Sequence, residues 1–360
     1  MADTENIKLR IYGLRVNKRQ FLIFELLVLL VFVTLLVIYI YRDFTLDPAD
    51  SEAIRHNRYY IYMCVFFIVW VIVEAQFFLN RFVKAQLKII KKQKEKIDQQ
   101  NTEIKESIHY AKRIQDAILL PERKIREMLQ DSFVFFRPKD IVSGDFYWLY
   151  RTGTKILFAA VDCTGHGVPG AIVSMIANDA LNRTVADFGI TEPAGILDKI
   201  AELLGEAFEH SEAEVKDGMD LALCSLDPGK GILEYAGANN PLYRIRENEL
   251  TEIKSDKQPV GKYTEVKPFT NHSMQVQSGD CYYLFSDGFP DQFGGPSGKK
   301  FKYRQFREFL LSISHHPMQV QKDLLGRALD DWMQGEGTSY EQVDDVCVFG
   351  VRVLNKGTAF

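Results

Sequence analysis

The chain has 360 residues, 46% hydrophobic and 26% charged, with a net charge of −4. That length holds one full domain with additional apparatus, and the near-neutral balance lacks the concentrated basic face of a nucleic-acid binder. The five cysteines, Cys64, Cys163, Cys224, Cys281 and Cys347, are odd in number and form no C-x-x-C pair, which argues against a disulfide framework or a zinc ribbon and suits a reducing compartment.

The average charge hides an asymmetry, because the N-terminal third is basic and apolar. A basic segment, 1–20, precedes two apolar stretches, Phe21–Tyr41 and Tyr59–Leu79, each interrupted by one acid, Glu25 and Glu74. A helix needs about 20 mainly apolar residues to cross a bilayer, so 21–79 reads as a transmembrane hairpin. A buried soluble helix is the alternative. A cleaved signal fits worse, since its apolar core is shorter and precedes a small-residue cleavage site. Lys8, Arg10, Arg15, Lys18 and Arg19 lie before the first span, and Arg81, Lys84, Lys88, Lys91, Lys92, Lys94 and Lys96 after the second. The positive-inside rule therefore puts both termini in the cytoplasm. Glu25 and Glu74 then fall near the inner surface, as tolerated helix-end acids or, alternatively, as functional carboxylates. Tyr39, Tyr41, Tyr59, Tyr60 and Tyr62 gather at the outer ends, as an aromatic belt does.

Residues 80–130 read as a helical stalk. Val83, Ile90, Ile97, Ile104, Ala111 and Ile118 fall on one heptad position, and Leu87, Lys94, Asn101, Ile108 and Gln115 on the other. The repeat predicts a coiled coil, in which polar residues such as Asn101 and Lys94 set register at a cost in stability. Because both copies leave the same membrane face, a parallel homodimer follows. The alternative is a single amphipathic helix lying on its own domain. Pro121 breaks the pattern, and a short helix runs on to about Leu129.

From Asp131 the pattern becomes short strands with longer helices between them, which predicts an α+β domain over 131–354. Strands are expected at Ile156–Val161, Ala222–Leu226, Leu233–Tyr235, Cys281–Phe285 and Val346–Val353. Helices are expected at Val168–Val185, Ala194–Glu209 and Met318–Met333. Four aspartates share one design, an apolar run meeting an acid at a glycine-rich or acidic turn: Asp145 in SGDFYW, Asp162 in AAVDCTGHG, Asp287 in LFSDGFPD and Asp344 in QVDDVCVFG. A lone aspartate at a strand end is a turn former. Four together would repel unless a divalent cation joined them, and all-oxygen ligands favour magnesium, manganese or calcium over zinc.

These segments, in this order and spacing, resemble the type 2C, metal-dependent serine/threonine protein phosphatases, in particular their bacterial SpoIIE/RsbU branch, over roughly Asp131–Leu354. The resemblance implies an α/β/β/α sandwich with two Mn2+ or Mg2+ ions between the sheets. It implies Asp145, Asp162, Asp287, Asp344 and the backbone carbonyl of Cys163 as metal ligands, with Asp345 supporting them from behind. It implies hydrolysis of a phosphoprotein by a water that the two metals activate, with no side chain as catalyst. The branch suggests a substrate in a partner-switching pathway, such as an anti-sigma-factor antagonist, and a home in the bacterial inner membrane with the catalytic domain cytoplasmic. Lys139 and Arg137 are candidates to steer phosphate, against the reading of a solvated face. Trp148 stands where many relatives carry an acid, and Ala238 where a family AGHxPP stretch has histidine. His166 sits four residues after Asp162 where eukaryotic relatives place theirs two after, so it is read as a structural histidine in a glycine turn. The rival reading is a catalytically inactive, membrane-tethered module that binds phosphoprotein without turning it over.

Overall fold

The computed structural model describes residues 8–11, 14–44, 51–207, 218–261, 267–335 and 338–354. The chain divides into two units, Met1–Asp98 and Gln99–Phe360. The first contains a short hairpin of β1 (Lys8–Ile11) and β2 (Leu14–Asn17), then α1 (Lys18–Phe44) and most of α2 (Ser51–Ile118). Among the described residues one helix is long and apolar enough to cross a membrane, with its most apolar window at mean hydropathy 2.1 and wholly unburied. It contains the expected second span. The expected first span lies in α1, of which Leu27–Ile38 is described as an apolar piece shorter than a span. The side chain of Glu25 lies outside the described residues.

The helix α2 is continuous through the expected stalk. Val83, Leu87, Ile90, Ile97 and Ile104 all lie exposed along it. Gln115 departs from the heptad expectation, which sets it in a seam facing a partner helix. It is buried against its own domain, at 3% exposure, so at that end the helix serves the domain and not a seam.

The second unit continues with α3 (Glu122–Met128), β3 (Ser132–Arg137), β4 (Phe146–Thr152), β5 (Lys155–Cys163), α4 (Gly167–Ala186), α5 (Pro193–Ala207), β6 (Gly218–Asp227) and β7 (Ile232–Ala238). Next come β8 (Leu242–Arg246), β9 (Glu249–Ile253), β10 (Val260–Gly261), β11 (His272–Gln275), β12 (Cys281–Phe285), α6 (Gly288–Asp291), β13 (Phe293–Gly294) and β14 (Lys299–Lys300). The chain then forms α7 (Tyr303–Ile313), α8 (Met318–Met333) and β15 (Val346–Arg352). One sheet has the order β11-β7-β6-β5-β4 with β10 beside β6; the other has the order β3-β15-β12-β8-β9.

Strand periodicity explains the layering. In β5, Ile156, Phe158 and Ala160 face the second sheet, where they meet Tyr282, Leu284, Cys347 and Phe349. The alternate residues Leu157, Ala159 and Val161 face α4 and α5, against Ala177, Leu181, Ile196, Leu197 and Ile200. In β12, Tyr282 and Leu284 point inward, while Tyr283 and Phe285 pack under α7 and α8 with Phe306, Leu310, Leu325 and Leu329. A strand buried on both faces reads as a continuous apolar run, which is why β5, β12 and β15 were legible. The result is helices, sheet, sheet, helices, the sandwich that the resemblance implied.

Candidate metal centre

The sheets bring the predicted acids to one end of the sandwich. Asp162 stands near the end of β5, and Asp145 just before β4, its antiparallel partner. In the other sheet, Asp287 follows β12, and Asp344 and Asp345 precede β15, which is paired with β12. Backbone contacts fix this meeting. A Cβ on Gly144 would collide with the carbonyl of Gly165 and press on that of Cys163, so the SGD and DCTGHG turns pack main chain to main chain. A Cβ on Gly288 would collide with the carbonyl of Asp345, which seats the SDG turn on the DD pair. Ser286 ties the same corner, its N–H donating to the Cys347 carbonyl at 2.9 Å while its Oγ accepts from the Cys347 N–H at 2.9 Å.

The side chains behave as two sets. Asp345 is fully used, its Oδ1 accepting from the Lys139 N–H at 2.7 Å and its Oδ2 from the Gly144 N–H at 2.8 Å. It clamps both ends of the loop that presents Asp145. Asp344 Oδ1 accepts from the Asp345 N–H at 2.9 Å. By contrast, Asp145 is 2% exposed and its Oδ2 has no partner. Burial, then the charge of Asp162, pushes its carboxyl well above the ordinary range despite a hydrogen bond to Ser286. Burial, then Asp287, Asp344 and Asp220, pushes Asp162 up as well. Asp287 is raised to about 6, chiefly by burial and then by Asp344.

Among the described residues, no three His, Cys, Asp or Glu side chains converge closely enough to form a ready ion cage. The donor chemistry nonetheless fits a hard divalent cation: all donors are oxygens, one buried carboxylate oxygen is orphaned, and the charged forms are destabilised until a cation offsets them.

Several residues escaped sequence reasoning. Asp220 on β6 lies directly opposite Asp162 in the β5–β6 register. Its Oδ1 accepts from Asn239 Nδ2 at 2.8 Å, and burial raises its carboxyl. Its signal was present, since GMDLALC repeats the design of acid beside apolar run. Gln115 donates through Nε2 to the Ser143 carbonyl at 2.6 Å and to Ser174 Oγ at 3.0 Å, and accepts from the Ser143 N–H at 3.1 Å. It thus holds the residue two before Asp145. Of the two basic candidates, Arg137 is engaged by Asp330 on α8, which leaves Lys139. His166 precedes α4 and is exposed, with Nδ1 2.8 Å from Asp140 Oδ2.

The profile of the family described as stage II sporulation protein E (SpoIIE) matches residues 152–354. The SiaA-PP2C domain of Pseudomonas aeruginosa is 31% identical and superposes with a TM-score of 0.64, covering 70% of this chain and 98% of that one. The structure of the PP2C phosphatase domain of Bacillus subtilis SpoIIE with a fragment of its regulatory domain is similar in fold. That similarity has a TM-score of 0.52 at 19% identity, over 63% of this chain and 64% of that one. No curated protein matches the chain.

Proposed function

This chain belongs to the SpoIIE family of PP2C-type serine/threonine phosphatase domains, and we propose that it is an active phosphatase that removes phosphate from serine or threonine of a partner protein. The observation that supports turnover over mere binding is the buried, partnerless Asp145 Oδ2 amid acids whose carboxyls are raised by burial and then by one another's charge. A binding module has no need to carry that cost. Asp145, Asp162, Asp287, Asp344 and the Cys163 carbonyl would hold Mn2+ or Mg2+, the ions used by this family. When bound, two such ions supply an activated water and neutralise developing charge on a phosphate ester. The chain's own residues do the rest. Asp345 and Gln115 fix the Lys139–Asp145 loop from opposite sides. Ser286 and the Gly288 contact hold the Asp287 turn against Cys347 and Asp345, beside Asp344 in the chain. Lys139 stands at that loop with a charge suited to an incoming phosphate.

The exposed apolar row on α2 and the basic flanks of the apolar stretches support a further reading. The enzyme would be anchored by two spans in a bacterial inner membrane, with both termini and the domain cytoplasmic, and paired as a parallel homodimer through the stalk. The substrate class would be a phosphorylated regulator, for instance an anti-sigma-factor antagonist. Hydrolysis of an aryl phosphate by the purified chain with Mn2+ tests the main reading. Activity that vanishes with chelator supports it, and an inert, metal-supplied chain would favour the non-catalytic module.

A further inference from the structure

The acids form one side of the candidate centre; its rim carries a residue that neither the motifs nor the mechanism uses. Tyr303 is the first residue of α7. Its ring lies 6.3 Å from that of Phe285, at the end of β12, the strand that leads into Asp287. It is 39% exposed, so the residue is neither sealed in the core nor free in solvent. The phenol is close enough to Asp287, Asp291 and Asp162 for their charges to act on it, and burial followed by these acids holds it protonated well above its ordinary range.

The chain bears strain to place it there. Lys302 has φ 72° and ψ 147°, a conformation natural to glycine and costly for any side chain. Its N–H donates to the Pro290 carbonyl at 2.6 Å, and the Phe301 N–H to the Gln292 carbonyl at 2.9 Å. Phe301 is buried against Phe289 and Trp332 at ring distances of 5.2 and 5.1 Å. These ties return the chain to the Asp287–Gln292 turn, so that α7 starts beside the acids. Lys300, three residues before Tyr303, is paired with Asp291 at 2.7 Å.

We infer that Tyr303 is a substrate-contacting residue, whose phenol O–H donates a hydrogen bond to a phosphoryl oxygen held over the carboxylate centre. This rests on the phosphatase reading for the identity of the ligand, a phosphoserine or phosphothreonine ester. A phenol suits the place because it offers a donor without a charge. A lysine there would pair with Asp287 or Asp291, as Lys300 does, and compete with the cations.

Tyr303→Phe separates contact from packing, since it keeps the ring on Phe285 and removes only the hydroxyl. The measurement is calorimetric binding of inorganic phosphate and, separately, of Mg2+ to the full chain in detergent. Phosphate affinity with Mg2+ present should fall about 3- to 10-fold in the variant, the scale of one neutral hydrogen bond. Mg2+ affinity and melting temperature should stay as in the wild type. Equal phosphate affinity in the two proteins, or no phosphate binding by the wild type, overturns the inference. So does a loss of Mg2+ affinity in the variant, which would place the tyrosine behind the cations. Failure of the phosphatase reading looks different: the wild type would bind phosphate yet hydrolyse no aryl phosphate with Mn2+.

Discussion

The two sheets contribute to the centre in unlike ways. Asp344 and Asp345 of the second sheet are tied into the main chain. Asp345 accepts two backbone N–H groups, Asp344 accepts one, and Ser286 locks the corner between them. The acids of the first sheet have little of this. Asp145 keeps an orphaned oxygen, and Asp162 faces Asp220 across the ladder, where like charges directly opposite are destabilising. One side is architecture that also carries charge, and the other is charge awaiting a counter-ion. Neutralising an acid should therefore have opposite effects on stability in the two sets, with Asp287, raised by burial and by its acidic neighbours, siding with Asp145 and Asp162 although it follows a strand of the second sheet.

The largest expected effect is on turnover. Asp162→Asn and Asp287→Asn should each lower Mn2+-dependent hydrolysis about a hundredfold or more, the scale of a disrupted water-activating metal site. Both should keep or gain metal-free stability, because each removes a repelling charge. Excess Mn2+ should restore part of the rate. Wild-type rates in both variants would remove the two-metal reading. Asp345→Ala should do the reverse and destabilise the chain first. It strands the part-buried N–H of Lys139 and the buried N–H of Gly144, at about 1–3 kcal/mol each and so about 2–6 kcal/mol together, a loss that denaturation should report with metal absent. An unchanged unfolding midpoint would deny Asp345 its structural role.

The same contrast explains what the sequence made legible. Apolar strands buried on both faces, β5, β12 and β15, and the long helices α4 and α8 stand out by composition, and the acids at their ends follow. The elements that sequence reading passed over are amphipathic or short. The strand β9, ELTEI, alternates at the sheet edge, and α7 shows its apolar stripe only through Phe306, Leu310 and Ile313. Asp220 was missed because its strand was read from Ala222. Gln115 was misassigned because a heptad fixes which face of a helix is special, not what covers that face. The tie to Ser143 is long-range and leaves no local pattern.

Gln115 is the neutral counterpart of Asp345, bracing the Asp145 loop with two hydrogen bonds to Ser143 and reaching Ser174 on α4 with a third. Gln115→Leu keeps the volume but strands the Ser143 N–H and leaves the Ser143 carbonyl only the long contact from Ser174 Oγ at 3.5 Å, with an expected loss of about 1–3 kcal/mol. Mn2+ affinity should fall in step, since the loop that presents Asp145 loosens. Gln115→Glu retains the acceptor for Ser143 N–H and should lie between. If the Leu variant melts and binds Mn2+ as wild type does, the helix end is mere packing.

The smallest effect concerns pH, and its sign follows from the acids whose carboxyls are raised. Asp145 and Asp162 are raised well above the ordinary carboxylate value of 3.8, and Asp287 to about 6. Between about pH 4 and 6 the folded, metal-free chain therefore holds more protons than the unfolded one. Stability must fall as pH rises through that window and recover on acidification. A gain of about 1 kcal/mol from pH 7 to pH 5 corresponds to roughly 2–4 °C in melting temperature for a domain of this size. Saturating Mn2+ should cancel or reverse the trend, because protons and cations then compete for the same oxygens. Asp287→Asn should flatten the metal-free profile, as it deletes one of the groups that take up the proton. A metal-free chain that melts lower at pH 5 than at pH 7, with the same slope in Asp287→Asn, would show that these acids are not the repelling set described here.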